Sequence, residues 1–303
     1  MELSFVVLQQ VVIIILLMAV GYTAKKTKII GDEGVSQFTS FLMYFVTPCV
    51  LIEAYQKPFD IKGAKLLAVA FLMAVLIHLI VIVLARYVFP AKENLDYRVN
   101  RFSLVYSNCG FMAIPLLSAA LGSEGVFFGS AYLAVFSILQ WTNGIYTYTE
   151  DKSLLSFKKA VLNPGVLGTL ISLVLFVFSI KLPDIIAQTV GFVADMNTPL
   201  SMIMLGTFFV GIKPMEIFKN ISFYVVVVIR LLIVPVMAIF LLKLLKVDIA
   251  VIKALAISSA CPVAGVTALW AGKFNLNAEY ASQLVAITTV ISVITIPLVI
   301  LLV

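Results

Sequence analysis

The sequence predicts an all-α integral membrane protein: ten transmembrane helices in two inverted five-helix repeats, with broken fourth and ninth helices that cross. Three observations carry this. The 303 residues are 62% hydrophobic and only 12% charged, whereas soluble chains are about half apolar. The apolar residues fall into about ten runs, each near the roughly 20 residues that cross the hydrocarbon of a bilayer. The polar interruptions of these runs also recur at half the chain length.

The runs follow in order. Span one, 5–24, ends at Lys25 and Lys26. Glu2 stands where a secretory signal would be basic, so the run reads as a mature span. Span two, 34–54, contains FVTPCVLIEA, and span three, 64–88, holds the single histidine, His78, expected as a packing residue. Span four, 99–121, contains SNCGFMAIP, which sets Asn108, Gly110 and Pro115 inside an apolar run. Span five, 125–147, carries Gln140, Trp141 and Asn143, polar enough to line a cavity. Span six is 161–180, and span seven, 185–211, reads DMNTPLSMIML near its middle. Span eight, 219–243, holds Arg230 eleven residues beyond Lys219, roughly 16 Å along a helix and so near the midplane. Span nine, 249–272, contains SSACPVAG, and span ten is 278–302. Together they leave no room for a soluble domain.

Thr47–Pro48 in span two returns as Thr198–Pro199 in span seven, 151 residues later. The same shift carries Ser107 onto Ser258. Both neighbourhoods mix small polar residues, Cys, Gly and Pro inside apolar helices. Five spans per half is an odd number, so the second repeat, 153–303, must enter the membrane upside down relative to the first, 1–152. Inverted repeats with matched interrupted helices are the plan of many secondary transporters.

Proline removes a backbone donor and breaks a helix. In hydrocarbon the freed polar groups are tolerable only where protein or a water-lined cavity covers them. The N-terminal end of a half-helix carries about +0.5 charge and free N–H groups, which suit a carboxylate. The carbonyl end suits Na⁺ or a protonated group. Asn108, Ser107, Ser258 and Ser259 stand beside the breaks, either as ligands or as caps for freed backbone. Ionisable groups at membrane depth are costly and generally functional. Arg230 either offsets an anionic substrate or caps carbonyls of a broken helix. Asp195, one turn before Pro199, is a candidate for proton or Na⁺ coupling or for pairing with Arg230, with Ser107, Ser258 and Thr198 as further coupling candidates.

The net charge of +6 tracks topology. Loops after odd-numbered spans hold thirteen Lys and Arg, among them Lys25, Arg98, Lys152, Lys213 and Lys219. Loops after even-numbered spans hold seven, among them Lys57, Lys181 and Lys243. Basic residues collect on the cytoplasmic side, so both termini are expected on the non-cytoplasmic side of the cell membrane. Cys49, Cys109 and Cys261 lie within spans without a CxxC pair or a neighbouring His, which argues against disulfide and metal roles. There is no catalytic constellation, no phosphate-binding loop and no nucleic-acid module, so no enzyme activity and no nucleic-acid partner are expected.

The chain resembles the auxin efflux carrier family, which includes plant PIN-FORMED carriers and bacterial malate and malonate permeases. The resemblance rests on Gly21–Tyr22, VTPCVL in span two, NCGFMAIPLL in span four and Gln140–Trp141. It continues through the stretch from Arg230 to Pro235, SSACPVAGVTALWAGKFN in span nine and VISVITIPLVILL in span ten. It implies crossing at Pro115 and Pro262, and a scaffold part with a mobile transport part, the elevator architecture of bile-acid and NhaA-like transporters. It also implies that Asn108 contacts an anionic substrate and that Gln140 lines the same pocket. With Cys109, Gly110, Ser259, Cys261, Asn143 and Arg230 these form the expected substrate site. The long loop of the plant carriers is reduced here to TEDKSLLSFKKA. Plant relatives tend to carry Gly and a second Pro after the second break, where this chain has Val263 to Thr267, which favours a bacterial-type carrier of small carboxylates. No cofactor is expected beyond Na⁺ or H⁺ as coupling ion. The expected partners are the organic anion, the lipid bilayer and a second copy in a homodimer. Two other readings are a non-transporting sensor that keeps a transporter fold, and a Na⁺-coupled symporter of the bile-acid type.

Overall fold

A computed structural model describes residues 2–92, 94–155, 157–211 and 221–303. Lys213 and Lys219, counted in the charge bias, lie outside the described residues, as does the start of span eight. The regular structure described is helical, apart from one isolated antiparallel bridge between Ser107 and Val263.

The first half begins with α1 (Glu2–Lys26), α2 (Asp32–Phe41), α3 (Thr47–Ala54) and α4 (Ile61–Val88). It continues with α5 (Asp96–Val105), α6 (Ile114–Leu139) and α7 (Ile145–Thr149). The second half holds α8 (Phe157–Val161), α9 (Pro164–Val177), α10 (Asp184–Asp195), α11 (Asn197–Thr207) and α12 (Ile221–Val228). It ends with α13 (Val234–Leu244), α14 (Ile249–Ala260), α15 (Val266–Lys273) and α16 (Ala278–Ile300). Asp and Asn cap several starts. Asp60 accepts from the Gly63 N–H at 2.7 Å, Asn163 from Gly165 at 2.9 Å and Asp248 from Ala250 at 2.9 Å, each satisfying an otherwise orphaned donor.

Four π-helical turns adjoin α-helices: Leu42–Val46, Cys109–Ala113, Gln140–Gly144 and Ile229–Ile233. Cys109–Ala113 opens its half-helix after non-helical residues 106–108, and the others link two helices end to end. Three precede a helix whose first turn holds a proline, Pro48, Pro115 or Pro235. A proline lacks the N–H that would bond one turn back and crowds the carbonyl there. The wider π turn takes up that misfit without ending the helix.

Five described helical runs are long and apolar enough to cross a membrane: Asp32–Ala54, Ile61–Val88, Cys109–Thr149, Ile221–Leu244 and Ala278–Ile300. The 41 residues of Cys109–Thr149 would extend about 60 Å if straight, twice the hydrocarbon thickness. They bend at Gly122, whose φ of 64° and ψ of −156° interrupt the helix. Only glycine adopts that backbone without strain, and it falls in the gap expected between spans four and five. Large apolar side chains such as Val83, Phe192, Phe240 and Ile294 face outward, as a lipid-facing surface requires.

Two groups of helices pack closely, and α6 also touches α1, α3 and α9 across them. In one, α1 runs along α11, and α3 lies against α9 and α10. In the other, α6 packs on α4 and α14, α13 on α14, and α15 on α16. The α1 and α11 backbones come into direct contact. A Cβ on Gly21 would lie 1.8 Å from the Ile203 carbonyl oxygen, and one on Gly206 2.0 Å from that of Met18. Small residues that let backbones touch are how membrane helices associate.

Loops after even-numbered spans meet one another. The Phe59 N–H donates to Ser179 Oγ at 3.0 Å, and the Leu182 N–H to Gln56 Oε1 at 2.9 Å. Loops after odd-numbered spans also hold together, as in Arg98–Glu150 at 2.7 Å and Lys25–Asp32 at 2.5 Å.

Candidate functional site

Spans four and nine both lose helical backbone near their middles, and the two gaps join. The Asn108 N–H donates to the Pro262 carbonyl at 2.7 Å, and the Ala264 N–H to that of Tyr106 at 3.0 Å. Ser107 Oγ donates to the Ser258 carbonyl at 3.0 Å, and the Val263 N–H to Thr288 Oγ1 at 3.2 Å. Each break thus supplies partners for the backbone that the other has freed.

Four half-helix ends converge at this junction. The carbonyl ends belong to α5 and α14. Arg230, delivered by the π turn of span eight and 0% exposed, reaches both. It donates to the carbonyls of Leu104 at 2.9 Å and Cys261 at 3.2 Å, and also to that of Ser259. A guanidinium presents a planar fork of donors, and its charge opposes the negative ends of both helices. The sequence left two roles open for this residue; its contacts are with backbone carbonyls, and it does not line the cavity.

The N–H ends belong to the half-helix that starts at Cys109 and to α15. Gly110, Phe111, Gly265 and Val266 from these two ends line a cavity of about 100 Å³. First-turn N–H groups have no intrahelical partner, and such ends favour anions. Asn108, 3% exposed, lines the same cavity, and its Nδ2 has no hydrogen-bond partner among the described residues. Thr47, Ser107, Ser137, Gln140 and Asn163 add polar lining, while Leu133, Phe136, Phe208 and Leu269 supply apolar walls. A second cavity of about 680 Å³ adjoins it, and Thr39, Met43, Phe208 and Leu269 line both. This vestibule is edged by Lys25, Asp32 and Glu279, at the ends that follow odd-numbered spans.

The description "membrane transport protein" is that of a family that matches this chain over residues 6–156 and 149–300. The chain belongs to this family, the auxin efflux carriers. It is also similar to an uncharacterized transporter of Methanocaldococcus jannaschii, 22% identical over 308 positions that cover 95% of this chain and 96% of that one. The protein is therefore a membrane transport protein rather than an enzyme.

Within this auxin efflux carrier chain the expected site residues separate. Asn108, Gly110, Ser107 and Gln140 line the cavity together. Cys109 and Cys261 are buried thiols off the lining, with Cys261 Sγ turned to the Ile257 carbonyl at 3.3 Å. The Ser258 and Ser259 hydroxyls bond back to their own helix, at Ala254 and Ala256. Asn143 lines a different small cavity, beside Arg86, Arg101 and Glu150. Asp195 is exposed at the end of α10 and is not among Arg230's hydrogen-bond partners. The Thr198 carbonyl accepts from Ser201 Oγ at 3.3 Å, and that oxygen also lies 3.2 Å from the Phe111 carbonyl. Pro115 is buried in the first turn of α6, and Pro262 contributes the carbonyl bonded to Asn108. His78 packs 4.5 Å from the Tyr132 ring, with Nδ1 2.8 Å from the Ala74 carbonyl. Trp141 stacks edgewise on Trp270 at 5.3 Å. Ser137 and Asn163 line the cavity without having been singled out from sequence. Asn-Pro-Gly ahead of the apolar run of span six was the available signal, and it reads locally as a helix start.

Proposed function

We propose that this protein is a secondary carrier for a small organic anion, a mono- or dicarboxylate, in the cell membrane. One observation carries the reading: two half-helix N-terminal ends and the unpartnered Asn108 amide meet in one small cavity. Both features await negative charge, and none of the residues lining the cavity is charged. A cavity of about 100 Å³ favours an anion of a few heavy atoms over a bulky amphipathic one, and so disfavours the bile-acid type.

The reading extends to ten spans in two inverted repeats, with both termini non-cytoplasmic, and to an elevator motion. In this reading the α1, α3, α9, α10, α11 group and the α4, α6, α13, α14 group move against each other, with the contacts of α6 on α1, α3 and α9 as the moving seam. Access supports it. The vestibule opens the site toward the ends after odd-numbered spans. On the other side, Tyr55 Oη meets Ser130 Oγ at 2.6 Å and Lys57 Nζ lies 3.4 Å from the Phe127 ring centroid. These contacts join the two sets, and burial of Lys57 lowers its pKa. H⁺ or Na⁺ is the coupling ion in this reading, with Asp195, Ser107, Ser258 and Thr198 as candidates, and a homodimer is the proposed assembly.

The test is uptake into proteoliposomes of labelled small mono- and dicarboxylates under H⁺ and Na⁺ gradients. At least one should accumulate. Asn108→Ala should weaken its apparent affinity about tenfold, the worth of one hydrogen bond to a charge, without lowering the unfolding temperature. Binding without uptake would instead identify a sensor. No binding across the panel would overturn the anion reading.

A further inference from the structure

The cavity has a second polar wall, across Leu133 from the helix breaks, where several polar groups are left unused. Ser137 and Gln140 are 3% and 5% exposed and line the cavity. Neither side chain has a hydrogen-bond partner among the described residues. A helical Ser or Thr can bond back one turn, as Thr142 does to the Ile138 carbonyl at 2.9 Å and Thr169 to Gly165 at 2.8 Å. Ser137 does not. Facing it, Asn163 caps the 14-residue α9 through Oδ1, and its NH₂ group has no partner among the described residues. The positive end of α9 therefore starts at the cavity wall, with Gly165 in the lining.

The backbone at Gly165 brings these groups together. A Cβ there would lie 3.0 Å from Ser137 Oγ and 3.2 Å from Asn163 Oδ1, so a larger residue would crowd both. Leu133 separates this wall from the helix breaks. Its Cγ is 3.9 Å from a Cβ placed on Gly165, and its Cδ1 is 3.6 Å from one placed on Gly110. Two donor-rich poles thus stand one leucine side chain apart.

We propose that Ser137 and Asn163, beside the positive end of α9, form a second anion pole. It receives the distal carboxylate of a short dicarboxylate whose first carboxylate sits between Asn108 and the two helix ends. The assignment rests on the carrier reading above and adds the residues that set its selectivity. A monocarboxylate of equal length presents a methyl group to the second pole and leaves buried donors unpaired. Sites built on such donors reject ligands that lack the matching group.

The experiment uses the full chain in proteoliposomes. Uptake of labelled malonate and of labelled propionate is measured, each competed by malonate, propionate, succinate and butyrate. In the wild type each dicarboxylate should compete at least tenfold better than the monocarboxylate of the same length. Ser137→Ala and Asn163→Ser, the latter keeping a capping oxygen, should each reduce that preference about tenfold. Gly165→Ala, which fills the second pole, should do the same. Unfolding temperatures within a few degrees of wild type establish that the variants are folded. Equal competition by mono- and dicarboxylates in the wild type overturns the second pole and leaves the carrier reading standing. So does an unchanged preference in all three variants. Failure of the protein to bind or move any of the four acids overturns both.

Discussion

At the junction of spans four and nine, the two carbonyl ends share one buried guanidinium, while the two N–H ends face an open cavity. The chemistry of the four ends is symmetric, since each terminus carries about half a charge. The treatment is not. Arg230 bonds to carbonyls of both α5 and α14, so the negative side is satisfied from within. The positive side has only the neutral Asn108, with an amide that lacks a partner. The difference teaches where a ligand is wanted. In the carrier proposed above, the side without an internal counter-charge is the place for a mobile anion.

The strongest way to break this comparison is to remove the internal cation. Arg230→Met leaves the carbonyls of Leu104, Ser259 and Cys261 without their donor in a fully buried setting. The expected loss is about 3–5 kcal/mol, because each buried acceptor left unsatisfied costs about 1–3 kcal/mol. It should appear as a large fall in unfolding temperature in detergent, or as failure to yield folded protein. Arg230→Lys should recover part of it, because a point charge cannot fork to three acceptors. Stability of Arg230→Met within about 1 kcal/mol of wild type would mean that the guanidinium does not hold these ends.

A smaller and more pointed change gives the positive side its own internal ion. Asn108→Asp adds a carboxylate beside the Cys109 and Val266 helix starts. It should raise ligand-free stability by up to about 1–2 kcal/mol and abolish stabilisation by added carboxylates at neutral pH. A ligand normally raises apparent stability by mass action, so the thermal shift on adding malonate is the readout. A shift in Asn108→Asp equal to that in wild type would separate the Asn108 position from the binding site.

The breaks themselves were legible in the sequence. Asn, Gly and Pro inside an apolar run are visible locally, and their recurrence 151 residues on pairs them. What joins them was not. The acceptors that decide Arg230's contacts lie 126, 31 and 29 residues away in the chain, and only the fold brings them close. Asn143 illustrates a local failure. Helical spacing sets residues three apart on one face, which groups it with Gln140. The π turn Gln140–Gly144 inserts extra backbone between them, and Asn143 turns to a separate cavity beside Arg101. Ser137 and Asn163 were hidden for another reason. Each obeys an ordinary local rule, a serine in a helix and a cap before a proline. Their proximity depends on Gly165 letting α9 approach α6.

The mildest test concerns the seam between the two halves. Ser107 Oγ donates to the Ser258 carbonyl at 3.0 Å, so a residue of one break ties down the equivalent position of the other. Both atoms are buried, and the backbone bonds from Asn108 to Pro262 and from Ala264 to Tyr106 flank them. Ser107→Ala removes the hydroxyl but keeps those two bonds. The cost should be about 1 kcal/mol, the net worth of one buried hydrogen bond. Because Ser107 also lines the cavity, stability and affinity have to be read together. If the serine acts as a seam, unfolding temperature falls slightly while anion affinity holds within about twofold, less than one hydrogen bond to a charge is worth. If it acts as a ligand, affinity falls about tenfold with little change in stability. The seam outcome follows from the donor's geometry, since its single O–H is already committed to a carbonyl and not to the cavity.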